Sequence, residues 1–168
     1  IPGWIWGNHD IIVWDLKFDQ YKKWVIKNKR IIPKRDEYIT DIYGVENYNL
    51  GGWINQQVAK YNDKIGKGSL NKNQISRFEK EIPFWDWDHW GRKYNAYVKA
   101  IELIGLENIT TSTVCEKFPL DVRNVGRWVS KQRTHCKSNN FVKSTKLDFD
   151  NLLQLEKTGF SCHPEVVA

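Results

Sequence analysis

The apolar positions of the chain fall into two matching sets of helical stripes. Trp14, Phe18, Tyr21 and Val25 are spaced four, three and four apart, and Trp90, Tyr94, Tyr97 and Ile101 repeat that spacing 76 positions later. Such spacing lines one face of an amphipathic α-helix. It predicts first helices from about Trp14 to Asn28 and from His89 to Gly105. A second stripe, Leu50, Trp53, Ile54, Gln57 and Tyr61, returns as Val125, Trp128, Val129, Gln132 and Cys136 at a shift of 75. Third helices are expected after Asn71 and Asp148, because Leu70 to Ile75 match Leu147 to Leu152, and Phe78-Glu79-Lys80 matches Leu155-Glu156-Lys157, both at a shift of 77. Asn71 and Asp148 can cap those helices with a side-chain oxygen. Gln74 suits a reciprocal capping box, and Gly159 suits the exit of the last helix. Between first and second helices the chain reads as a loop, with Pro33 in one copy and Thr110-Thr111-Ser112-Thr113 in the other.

A shift this stable over three segments marks an internal repeat. The expected fold class is all-α, as tandem three-helix bundles with aromatic-rich cores. Module 1 covers 14–87 and module 2 covers 88–163, with a short tail at 164–168. Residues 1–13 are expected to be the tail of a preceding module or an aromatic cap, since Ile1-Pro2-Gly3-Trp4-Ile5-Trp6 resembles Ile82-Pro83-Phe84-Trp85-Asp86-Trp87. With 9 Trp, 7 Tyr and 7 Phe, the composition can fill small helical cores, because each ring buries a large area. The repeated Gln57 and Gln132 fall on the buried side of their helix, where an unpaired amide is costly. They are expected to hydrogen-bond loop backbone; contact with a nucleic-acid base is the alternative.

Charge changes the picture of partners. The net charge is +6 and the pI about 9.2, which favours an acidic partner. Residues 14–87 hold 14 Lys/Arg against 10 Asp/Glu, and residues 90–163 hold 12 against 7. The sequence has neither a signal-peptide pattern nor a run of apolar residues long enough to span a membrane. The expected setting is intracellular, cytoplasm or nucleus, with a virion as an alternative. Three cysteines at wide, irregular spacing, Cys115, Cys136 and Cys162, do not suggest a disulfide framework. Cys136 and Cys162 are expected to serve as small core hydrophobes, in preference to a zinc site built from His135-Cys136 and Cys162-His163. No metal and no cofactor is expected. Asp86, Asp88 and His89 could do acid–base work, but they sit where two modules join, and capping and packing explain them better, with Asp88 as the cap of the helix that begins at His89.

The combined pattern carries a family resemblance. Val125-Gly126-Arg127-Trp128-Val129-Ser130-Lys131-Gln132-Arg133, the W-x3-aromatic-x2-Y stripe before it, the L-x3-[QN]-[IL]-x2-[FL]-E segment after it and the Ile-Pro-x-Trp-x-Trp closers together resemble the helicase-associated domain. That short repeat occurs in tandem in some bacterial helicases and in related algal and large-virus proteins. The resemblance spans nearly the whole chain. It implies a three-helix module with a role in binding nucleic acid. Val58 departs from the arginine common at that place in the family, and Ser161-Cys162 replaces the closing tryptophans. No GxxxxGK[ST] phosphate loop is present, so the chain holds no helicase motor.

The function expected from the sequence is therefore non-catalytic nucleic-acid binding, with DNA as the first choice and phosphates as the contacts. The candidate residues in module 2 are Arg127, Lys131, Arg133 and Lys137, read as one face of the second helix. In module 1 they are Lys27, Arg30, Lys34 and Arg35. A structural scaffold that contacts other protein chains of a larger assembly is the alternative.

Overall fold

Trp14 is the point around which the first half of the chain is arranged. Its indole lies stacked on Phe18 at 5.3 Å between ring centroids, tilted against Trp53 at 5.9 Å and edge-on to Phe78 at 6.0 Å. These rings come from three α-helices: α1 (Trp6–Asn28), α2 (Leu50–Asn62) and α3 (Lys72–Glu81). In the computed structural model, which describes residues 6–39, 48–63, 68–137 and 149–162, the second half repeats the plan with α4 (His89–Ile104), α5 (Val125–Lys137) and α6 (Phe149–Glu156). The chain is all-α. It divides into two compact units, 1–85 and 86–168. Residues 6–13 continue α1 without a break, so the first helix begins well before the expected Trp14. Residues 1–5 and 163–168 lie outside the described part, as does Asp148, the expected cap of α6.

Most residues of the stripes read from the sequence lie in the cores of the two units, while Tyr61, Tyr94 and Ile101 are half-buried. Phe18 and Tyr21 are fully buried in unit 1, and Tyr97 is in unit 2. Each core holds one buried glutamine, and both accept the same hydrogen bond. Trp14 Nε1–H donates to Gln57 Oε1 at 2.8 Å, and Trp90 Nε1–H donates to Gln132 Oε1 at 3.1 Å. The expectation of loop-backbone partners is thereby corrected. A buried indole N–H can only donate, and an amide carbonyl on the facing helix meets that need without interrupting the apolar packing. The rings around it are placed alike. Trp90 stacks on Tyr94 at 5.1 Å and tilts against Trp128 at 5.6 Å.

The connection between first and second helices also follows one design. In unit 1 a turn closes with Glu37 N–H donating to Lys34 O, and Gly51 N–H of α2 reaches Glu37 O. In unit 2 Thr113 N–H donates to Thr110 O, and Gly126 N–H of α5 reaches Thr113 O. A Cβ on Gly51 would collide with Lys34 O, and one on Gly126 with Thr110 O. Only glycine permits the turn to lie this close against the helix. A two-residue antiparallel pairing, β1 (Tyr38–Ile39) with β2 (Tyr48–Asn49), leads into α2 where a plain loop was expected. Its counterpart in unit 2 is a single bond, Cys115 N–H to Arg123 O at 2.9 Å. Unit 2 adds a 3-10 turn at Leu106–Asn108.

The third helix is fastened differently in each unit. Asn71 and Gln74 form the expected capping box at the start of α3. Arg77 then bonds Asp15 and Asp19 of α1 and Glu81 of its own helix, at 3.0, 2.7 and 2.9 Å, while its guanidinium lies 4.4 Å over the Phe18 ring. Lys22 also reaches Glu81 at 3.0 Å. In unit 2 Tyr94 O–H donates to Gln154 O, Tyr97 O–H meets Thr158 Oγ1, and Cys136 of α5 is disulfide-bonded to Cys162, with Cα atoms 5.6 Å apart. That separation is ordinary for a disulfide. The reading of these two cysteines as unlinked core hydrophobes is corrected, although Cys136 is buried as expected. The repeat explains why spacing did not reveal the pair. Cys136 stands where unit 1 has Tyr61 and Cys162 where it has Trp85, so neither position announces a thiol.

Two measurements check these assignments. Lys29 ends α1 at φ 52, where the corresponding Gly105 has φ 83. A side chain in this region is strained by on the order of 1 kcal/mol. Lys29→Gly is expected to raise the thermal midpoint by a few degrees and Gly105→Ala to lower it, both read by circular dichroism. The Arg77 hydrogen bond, helped by Lys22 and opposed by partial burial, holds the Glu81 carboxyl down to about 2. Because the folded value is depressed, the stabilisation is complete above the ordinary carboxyl value of 4.5 and is lost as pH falls toward about 2. Glu81→Gln is expected to flatten the pH dependence of urea unfolding across that window.

Candidate nucleic-acid interface

The cationic residues of unit 2 do not share one face. α5 buries Val125, Trp128, Val129, Gln132 and Cys136. A helix advances 100° per residue, so Arg127 and Lys131 emerge on one flank of that stripe and Arg133 and Lys137 on the other. Arg133 is turned inward. Its guanidinium lies 5.7 Å from the centre of the Phe160 ring, and its Nε is buried without a hydrogen-bond partner. Lys137 is exposed at the last position of α5.

Arg127 and Lys131 open onto a groove of about 990 Å³. From α5 the groove also takes Trp128, Gln132, Thr134 and His135. The start of α4 supplies Asp88, His89, Trp90 and Lys93, and Asn124 and Asn151 complete the lining. Neither Arg127 nor Lys131 forms an ion pair among the described residues. Lys93 donates to Asp121 O at 3.0 Å. Burial pushes its ammonium below the usual lysine value; the charge of Asp121 opposes this, and those of Lys131 and Arg92 add to it. Like charges are therefore crowded together here, with Asp88 as the one carboxylate on the lining. A crowd of cations in a concave, partly desolvated site attracts an anion more strongly than the same cations dispersed in solvent.

Lys93 was not among the expected site residues. Its signal was present in the repeat, since Lys17 holds the same place in unit 1, where its Nζ sits 4.8 Å over the Tyr48 ring. The remaining groove cations have no such counterpart. By the 75-residue shift, Gly52 stands for Arg127 and Gln56 for Lys131. The expected residues of unit 1 project from separate segments. Lys27 is exposed on the last turn of α1, Lys34 and Arg35 are exposed on the turn that packs against Gly51, and Arg30 is half-buried with its Nε shut off from any partner.

Asp86 ties down the segment that enters α4. Asp86 Oδ1 accepts from Asp88 N–H at 2.8 Å, and Asp86 O accepts from Arg92 at 2.7 Å. Asp88 occupies the cap position of α4, but its side chain makes no capping bond, contrary to expectation. Among the described residues, no cluster of three or more His, Cys, Asp or Glu could hold a metal ion, and no helix is long and apolar enough to cross a membrane. Cys115 is half-buried, and burial raises its thiol pKa.

No protein-family model, curated protein or solved structure matches the chain.

The two flanks of α5 are expected to respond differently to mutation. Arg133→Ala removes the cover over Phe160 and is expected to cost about 1 kcal/mol of stability. Lys131→Ala, at an exposed and unpaired position, is expected to change stability by less than about 0.5 kcal/mol. Chemical denaturation of both variants checks this.

Proposed function

We propose that the chain is a non-catalytic nucleic-acid-binding protein, or part of one, built from tandem three-helix modules akin to helicase-associated repeats. DNA is the first candidate partner, bound through its phosphates. The observation that carries this reading is the groove of unit 2, where Lys93, Arg127 and Lys131 converge beside amide and hydroxyl side chains. Cations set phosphates in register, and neutral polar groups of this kind add hydrogen bonds to phosphate and sugar. The excess of basic residues in both modules agrees with it. Arg127 and Lys131 are direct contacts in this reading, and Arg133 acts by holding the closing segment. The cations of unit 1, Lys27, Lys34 and Arg35, add long-range attraction.

A second reading, a scaffold that binds other protein chains, is favoured by the exposed Leu103 and Ile104 at the end of α4, at 59% and 39% exposure.

The test is binding to labelled duplex and single-stranded DNA and RNA across a salt series. Affinity is expected to fall steeply with salt, because each neutralised phosphate releases counterion. The Arg127→Ala/Lys131→Ala double variant is expected to reduce the logarithmic salt slope by about 2. Absence of binding at low salt to all four would remove this reading and leave the scaffold.

A further inference from the structure

Gln57 and Gln132 occupy equivalent places and accept equivalent bonds, yet they differ in one respect. The indole N–H of tryptophan is a donor only, so in each pair it fixes the glutamine oxygen toward the ring and the –NH2 away from it. In unit 1 that –NH2 is satisfied, since Gln57 Nε2–H donates to Trp53 O at 3.1 Å. In unit 2 Gln132 Nε2 makes no hydrogen bond among the described residues, although the side chain is only 3% exposed. It does not count among the fully enclosed, partnerless atoms either. The Nε2 atom therefore keeps some exposure, and Gln132 is among the residues that line the groove.

An amide N–H that reaches a groove is met there by water, and an anionic acceptor forms a stronger, charge-assisted bond with it. An anion that enters the groove can therefore replace that water. The charges at the rim decide what kind of acceptor. Lys93, Arg127 and Lys131 select an anion, and a phosphoryl group offers oxygens that can face the rim cations and the floor donor at once.

We infer that the groove of unit 2 is a phosphoryl-binding site in which Gln132 Nε2 donates to one oxygen from the floor while Lys93, Arg127 and Lys131 balance the charge. Unit 1 has no such site, because its glutamine is already satisfied and its corresponding rim lacks the arginine and second lysine. The inference deepens the nucleic-acid reading and rests on it for the source of the group, a backbone phosphate. Free phosphate is the other source of the same chemistry.

The experiment is nuclear magnetic resonance of the side-chain amides in the 15N-labelled chain, titrated separately with inorganic phosphate, a short oligothymidylate and its uncharged methylphosphonate analogue. The Gln132 –NH2 signals are expected to shift saturably with the oligothymidylate, while those of Gln57 stay in place and the methylphosphonate has no effect. Lys131→Glu, a change at an exposed position, is expected to weaken the interaction about tenfold or more. Gln132→Glu keeps the acceptor for Trp90 and removes the floor donor, and is expected to do the same. Oligothymidylate binding with the Gln132 signals unmoved, and with Gln132→Glu as tight as the wild type, would overturn the inference and leave the nucleic-acid reading standing. A shift with inorganic phosphate and no oligothymidylate binding would uphold the phosphoryl site and remove nucleic acid as its source. No response to any of the three would end both.

Discussion

An indole N–H that leaves water must find an acceptor, and both units are organised by how they meet that demand. Trp14 and Trp90 are buried among other rings. The acceptor is a glutamine on the facing helix. This one bond fixes the register of the first helix against the second, because the indole and the amide each occupy a single turn. The stacked ring one turn along, Phe18 or Tyr94, and the tilted ring across, Trp53 or Trp128, then have defined places. The close seat of the turn against Gly51 or Gly126 holds the other end of the same helix pair.

With the first two helices locked in this way, the third was left to diverge. Unit 1 fastens α3 through charge, with one guanidinium shared among three carboxylates and shielding an aromatic face. Unit 2 has Gln154 where Arg77 would be, and Gly91 and Asn95 where the aspartates would be. It fastens its third helix with tyrosine hydroxyls and a disulfide. On α5, unit 2 also carries Arg127 and Lys131 where unit 1 has Gly52 and Gln56. The two modules share a frame and differ in what the frame presents.

Much of that frame was legible. The 3.6-residue stripes gave the buried faces of α1, α2 and α5 and, on α4, Trp90 and Tyr97 but not the buried Ala96 and Ala100, and the repeat itself identified Gln57 and Gln132 as buried polar residues. Their partners were not legible, because a stripe says which side of a helix faces inward and not which atom it meets. The start of α1 was missed for a related reason. Ile1 to Trp6 match the closing segment Ile82 to Trp87, so residues 1–13 read as a tail or cap, and the regular stripe begins only at Trp14. The disulfide was hidden because the repeat aligns both cysteines with aromatic residues. For the candidate interface, Arg127 and Lys131 could be read from charge and period. Arg133 was misplaced on their flank because basic residues were grouped by type without following the helical angle around Gly126, and Lys93 was passed over because it lies on a different helix.

The Cys136–Cys162 bond spans 26 residues, and α6 lies inside the span. Closing a loop of that size restricts the unfolded chain by on the order of 3 kcal/mol in the chain-entropy view. It also changes what a single cut can do. A protease that nicks the chain between α5 and α6 leaves the two pieces joined through sulfur, so the third helix stays tethered beside its neighbours and can return to its seat. A nick between α2 and α3 in unit 1 leaves side-chain contacts alone to keep α3 in place. The two halves of one repeat thus differ in what breakage means: in unit 2, with its cysteines oxidised, a broken backbone is still a single molecule.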